Sequence, residues 1–159
     1  MGRADEGLTA LGTGLAGCDE IGFMLWRPLF CTLFADACRI AGQLPAALGH
    51  LAEAQRLADE TGERWTLAET LRLRGDVLLT TGDRVGAEAG YREAIAIAQR
   101  QSGKLWELRA SISLARLWRD QGKRVEAREL LAPVYGWFTE GFGTPVLQEA
   151  KALLEELAV

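Results

Sequence analysis

Chemistry on this 159-residue chain would have to come from guanidinium and carboxylate groups set at helical spacing. Asp36 and Arg39, then Glu69, Arg72 and Asp76, then Arg109, Arg116 and Arg119 recur at intervals of three, four and seven residues, which keeps each set on one helix face. A guanidinium pairs a carboxylate through two parallel N–H···O bonds, so five arginines along one face would clamp acidic side chains or the C-terminal carboxylate of a partner. The competing arrangement is that these charges pair with one another. Residues forty apart fall on adjacent helices, which sets Glu69 beside Arg109 and Asp76 beside Arg116, whereas Arg39, Arg72 and Arg119 have no acid at that offset.

Other chemistries find less support. Gly12-Thr13-Gly14-Leu15-Ala16-Gly17 matches the dinucleotide fingerprint in its letters. That motif works only after a strand and at the opening of a helix, and nothing upstream reads as a strand. Cys18, Cys31 and Cys38 lack metal-ligand spacing, and the single histidine, His50, cannot complete a zinc set with them. Cys31 and Cys38 lie seven apart in an apolar segment and read as inert core thiols. His50 with Glu53 reads as a helix-surface pair. No nucleophile–base pair is visible, so no catalytic residue, metal or cofactor is expected. Trp26, Trp65 and Trp106 stand at the openings of successive segments and read as core between them, as do Tyr135, Trp137 and Phe138 beside Pro133.

The elements that carry these residues are repeated. Gly42, Gly82 and Gly122 are forty residues apart. At the same period run Ala35, Gly75 and Ala115; Ala47, Ala87 and Ala127; Leu51, Tyr91 and Leu131; and Ala54, Ala94 and Val134. Self-similarity at such a period marks a repeat array, and each period reads as two helices with a glycine-capped turn. The expected fold is therefore all-α, about three and a half helix pairs in one domain over residues 1–159. Residues 3–19 form a half repeat whose residues 5–18 align with 45–58, full repeats follow at about 23–62, 63–102 and 103–142, and a cap spans 144–158. The pairs run from about Met24 to Ala41 and from near Pro45 to just before Gly62, Arg64 to Thr81 and Arg84 to Gln101, and Lys104 to Gln121 and Arg124 to Thr139. Thr144 supplies a hydroxyl cap before Pro145, and Glu149, Lys151, Glu155 and Glu156 lie on the outer face of the last helix. Beginning on half a repeat suggests a piece of a longer chain, and it leaves Leu8, Leu11 and Leu15 for a second copy to cover as a homodimer. Eighteen basic and twenty-two acidic residues give a net charge of −4, which argues against a nucleic-acid surface. The most apolar stretch, 21–41, is broken by Arg27, Asp36 and Arg39, so no membrane span is expected, and a reduced cytoplasmic protein is the simplest reading.

Leu71, Gly75 and Leu78, followed by Ala87, Tyr91 and Ala94, resemble the tetratricopeptide pattern. The period is forty rather than about thirty-four, and Gln99 stands where that family often closes a repeat with proline. A closer likeness runs through Thr61–Trp65, Leu71–Gly75, Ser113–Gly122 and Leu131–Phe142, which look like the C-terminal repeat tail of large bacterial regulators with an ATPase, nucleotide-cyclase or transcriptional-regulator module ahead of it. The resemblance implies a tetratricopeptide-like superhelix whose first helices line a concave face. Asp36, Arg39, Glu69, Arg72, Asp76, Arg109, Arg116 and Arg119 would lie on that face and dock a protein or peptide. The expected function is a non-catalytic interaction module, the regulatory tail of a signalling protein. The alternative is a helical domain that senses a small molecule and switches an attached ATPase or cyclase.

Overall fold

A computed structural model describes residues 2–20 and 25–158, with the side chains of 2–5, 15, 18 and 19 outside the described set. Leu15, Cys18 and the helix start expected at Met24 therefore fall outside it. Among the described residues there are eight helices and no strand: α1 (Gly2–Glu20), α2 (Arg27–Ile40), α3 (Leu44–Thr61), α4 (Leu67–Thr80), α5 (Arg84–Arg100), α6 (Lys104–Asp120), α7 (Arg124–Gly136) and α8 (Pro145–Leu157). The glycine-rich stretch 12–17 lies inside α1, so it cannot form the loop that cradles a pyrophosphate.

The turns inside the pairs repeat in bond-by-bond detail. Gly42, Gly82 and Gly122 have φ of 76°, 92° and 79°, a left-handed conformation that glycine adopts without a Cβ penalty. After each, the next amide reaches back to a carbonyl five residues earlier: Gln43 to Cys38 at 2.8 Å, Asp83 to Leu78 at 2.9 Å and Lys123 to Trp118 at 2.9 Å. This closes the Schellman motif and satisfies otherwise orphaned carbonyls. Connections of three residues leave room only for antiparallel neighbours. Between pairs, Gly62 has φ 78°, and forty residues on Ser102 takes the same region at 55°.

The helix ends depart from expectation at three places. α4 starts at Leu67 rather than near Arg64, because Arg64 first donates to Gly62 O at 2.9 Å and Leu67 donates to Arg64 O at 3.1 Å, which makes a tight turn. α7 stops at Gly136 rather than Thr139, since Pro133 has no N–H for the helical ladder. Thr144 precedes α8, but its hydroxyl donates to Gly141 O at 2.8 Å and does not cap the helix.

The forty-residue register predicts the core well. Ala35, Ala47, Ala87, Ala115, Ala127, Leu51, Tyr91, Leu131, Ala54, Ala94 and Val134 are all buried. Gly75 allows the closest approach, because a Cβ there would lie 2.5 Å from Tyr91 Cε1. Cys31 and Cys38 are buried, and burial pushes the Cys38 thiol above its ordinary pKa. The aromatic positions differ from expectation. Trp26 and Trp65 are about half exposed, as is Trp137, while Trp106 and Phe138 pack on the core from its margin. Trp26 and Trp65 stand in the turns ahead of α2 and α4 rather than inside a helix.

Helices pack in two rows. α2, α4, α6 and α8 each touch the next, whereas α3, α5 and α7 touch only members of the first row. The first row is thus the tighter one, and the second row splays around it. Among the described residues α1 rests chiefly on α2, with Leu8 half-buried against the cluster of Ala35, Cys38 and Leu51.

Candidate functional site

The charged residues of the tight row divide into fixed and exchangeable groups. Arg72 is fixed. Its Nε and Nη2 donate to the two oxygens of Glu69, both at 2.8 Å, and Nη1 donates to Asp76 at 2.7 Å. Only 10% of the Arg72 side chain is exposed. Burial alone would lower its pKa, but the bonds and charges of Glu69 and Asp76 outweigh that and hold the guanidinium charged. The Tyr91 hydroxyl completes the network by donating to Asp76 Oδ1 at 2.8 Å. Burial, then the nearby Asp76 charge, raises the Tyr91 pKa and keeps it a phenol. A buried pair of this kind costs about 3–5 kcal/mol to break from one side, so these groups serve the fold.

Arg109 and Arg116 are exchangeable. Arg109 meets Glu69 at 2.8 Å with 39% of its side chain exposed, and Arg116 meets Glu149 of α8 at 2.5 Å with 49% exposed. The Arg116–Glu149 pair is exposed on both sides and contributes about 0–1 kcal/mol, little enough for an incoming anion to replace, whereas Arg109 is the exposed partner of a buried Glu69. Glu69 keeps both bonds from Arg72 when Arg109 leaves, so no carboxylate is orphaned. The two arginines border a cleft of about 270 Å³ formed by α4, α6 and α8, with Tyr91 and Ser113 in its wall. Pro145 and Val146 bring the start of α8 to its rim.

The expected Glu69–Arg109 pair forms; the expected Asp76–Arg116 pair does not. Asp76 is taken by Arg72 and Tyr91, and Arg116 reaches Glu149 instead. Arg39, Arg72 and Arg119 do have acids, found off the forty-residue offset. Arg39 bonds Asp36 at 2.7 Å within its own helix, and Arg119 bonds Asp120 at 2.9 Å and Glu156 at 2.7 Å. Glu149 and Glu156 therefore face α6 rather than the outer surface of α8. Asp36, Arg39, Glu69 and Arg119 are not among the residues bordering the cleft. Tyr91, Ser113 and Glu149 were missed as site residues, although the Glu69, Arg72, Asp76 spacing already contained the network.

His50 is half-buried against Phe34, with ring centroids 4.4 Å apart. Burial lowers its pKa, and Glu53 only partly offsets this. Among the described residues no three His, Cys, Asp or Glu side chains converge to hold a metal ion, and no helix is long and apolar enough to cross a membrane. No protein-family model matches this chain, and no curated protein matches it.

Proposed function

We propose that this chain is a tetratricopeptide-like repeat module whose concave, tight-row face docks an acidic segment of a protein partner through Arg109 and Arg116. The observation that carries the reading is the contrast among three arginines on one cleft: Arg72 is locked by two carboxylates, while Arg109 and Arg116 are half exposed and held by one carboxylate each. An open, charged trough of this kind suits an extended peptide better than a drug-sized ligand, which calls for an enclosed apolar pocket. The reading is non-catalytic, and the likeness of Ser113–Gly122 and Leu131–Phe142 to regulator tails supports a role in bacterial signalling. Half-buried Leu8 and Leu11 on α1 are the surface we propose for a second copy.

The test is fluorescence anisotropy with a labelled hexaglutamate peptide at low salt. The chain carries a net charge of −4, so long-range electrostatics disfavour this probe, and retained binding implicates a local clamp. Arg109→Gln and Arg116→Gln are each expected to weaken binding at least about fivefold, given roughly 1 kcal/mol or more per charged hydrogen bond. Equal binding by the double variant, or preference for hexalysine, would overturn the reading.

A further inference from the structure

Beside the polar cleft lies a second, smaller cavity of about 120 Å³ between α2, α4 and α6. Its character is the reverse of the cleft's. Leu29, Leu33, Leu73 and the Trp106 ring make most of its wall. Thr66 lines it as well, 1% exposed, and its hydroxyl has no hydrogen-bond partner. That is unusual for a buried hydroxyl, which is normally satisfied. Thr66 immediately precedes α4 yet does not cap it, whereas the nearby Thr32 and Thr70 hydroxyls bond each other at 2.8 Å. Among the described residues the Thr66 hydroxyl is thus a buried polar group without a hydrogen bond, on a residue that lines this cavity.

The charges at this cavity are all paired, and only Arg109 can exchange its partner. Asp36 is held by Arg39, and Glu69 by the two-pronged grip of Arg72. Arg109 borders both cavities and can turn from Glu69 to another anion without leaving a bare carboxylate. A cavity of this size holds on the order of ten non-hydrogen atoms.

We propose that this cavity is a binding site for a small monocarboxylate with a branched aliphatic or aromatic body. The body would fill the space among Leu29, Leu33, Leu73 and Trp106, the carboxylate would accept a hydrogen bond from the Thr66 hydroxyl, and Arg109 would neutralise its charge. The site shares Arg109 with the peptide cleft but has its own apolar wall and Thr66, so it stands whether or not an acidic peptide docks there.

Isothermal titration of the full chain with 4-methylpentanoate and with phenylacetate tests it. Saturable binding of one acid per chain is expected for both, with acetate and 4-methylpentanamide at least about tenfold weaker because each lacks one half of the recognition. Arg109→Gln should weaken the acids about tenfold and Thr66→Val severalfold, while Arg116→Gln, which touches only the polar cleft, should leave them unchanged. Leu33 is 46% exposed, so Leu33→Trp should fill the cavity with little cost to the fold and abolish binding. A thermal melt of each variant confirms that it is folded. No saturable heat up to about 10 mM of either acid would overturn the proposal, as would an amide that binds as tightly as its acid. The amide comparison needs no variant, so the outcome does not depend on a substitution being tolerated.

Discussion

Replacing Gly75 by alanine should destabilise the chain, although alanine is the better helix former. A Cβ at this position would lie 2.5 Å from Tyr91 Cε1 and 2.8 Å from Cδ1, so the ring must retreat by about 0.9 Å to reach an ordinary 3.4 Å contact. Tyr91 is 1% exposed and packed within the core cluster, so its retreat displaces neighbouring side chains. Its retreat also stretches the 2.8 Å bond to Asp76. Helix propensity returns about 1 kcal/mol, overpacking costs about 1–3 kcal/mol, and weakening the bond to a charged acceptor costs up to about 1.5–3 kcal/mol. The net loss is about 1–3 kcal/mol, which corresponds to a midpoint drop of roughly 3–10 °C for a chain of this length. The other two repeats supply the compensating change, since they pair Ala35 with Leu51 and Ala115 with Leu131 where the second pairs Gly75 with Tyr91. In a Tyr91→Leu background, Gly75→Ala should therefore be neutral or stabilising. Urea unfolding of the four proteins of this double-mutant cycle should give a coupling of at least about 1 kcal/mol. Additive behaviour, or a stabilising Gly75→Ala in the parent chain, would refute the packing described for α4 and α5.

Ser102 holds φ at 55°, where its neighbour one repeat earlier is Gly62, so Ser102→Gly should raise stability by about 0.5–1 kcal/mol in thermal unfolding. His50 is kept neutral by burial, so its folded pKa lies below 6.5 and the unfolded chain binds the extra proton. That stability is present above pH 6.5 and is lost as pH falls towards the lowered folded value; the melting temperature should decline between about pH 7 and 5, and His50→Phe should flatten the decline. Should a second copy cover α1, light scattering at micromolar concentration will report a dimer that Leu8→Asp and Leu11→Asp reduce to monomer; a parent chain that is already monomeric excludes it.

What the sequence reveals follows from how local each signal is. Gly42, Gly82 and Gly122 were legible because a left-handed cap needs glycine whatever surrounds it, and the small positions were legible because every repeat makes the same close crossing. The late start of α4 was not, since the Gly62–Leu67 turn depends on backbone bonds that no residue type announces. Glu69, Arg72 and Asp76 were legible as a helical stripe, yet comparison across repeats looked past bonds three and four residues away on the same helix. Glu149 and Glu156 were assigned to the outer face because α8 has no forty-residue counterpart whose contacts could orient it. The exposed indoles of Trp26 and Trp65 were misjudged for a related reason, as equivalent spacing says nothing about whether a neighbour covers them.

Amide chemical-shift mapping of the acidic peptide on the labelled chain tests the docking face most directly. The account predicts perturbations concentrated on α4, α6 and the start of α8, centred on Arg109, Ser113, Arg116 and Val146, and lost in Arg109→Gln/Arg116→Gln. Perturbations confined to α3, α5 and α7, or a pattern that survives loss of both arginines, would contradict it.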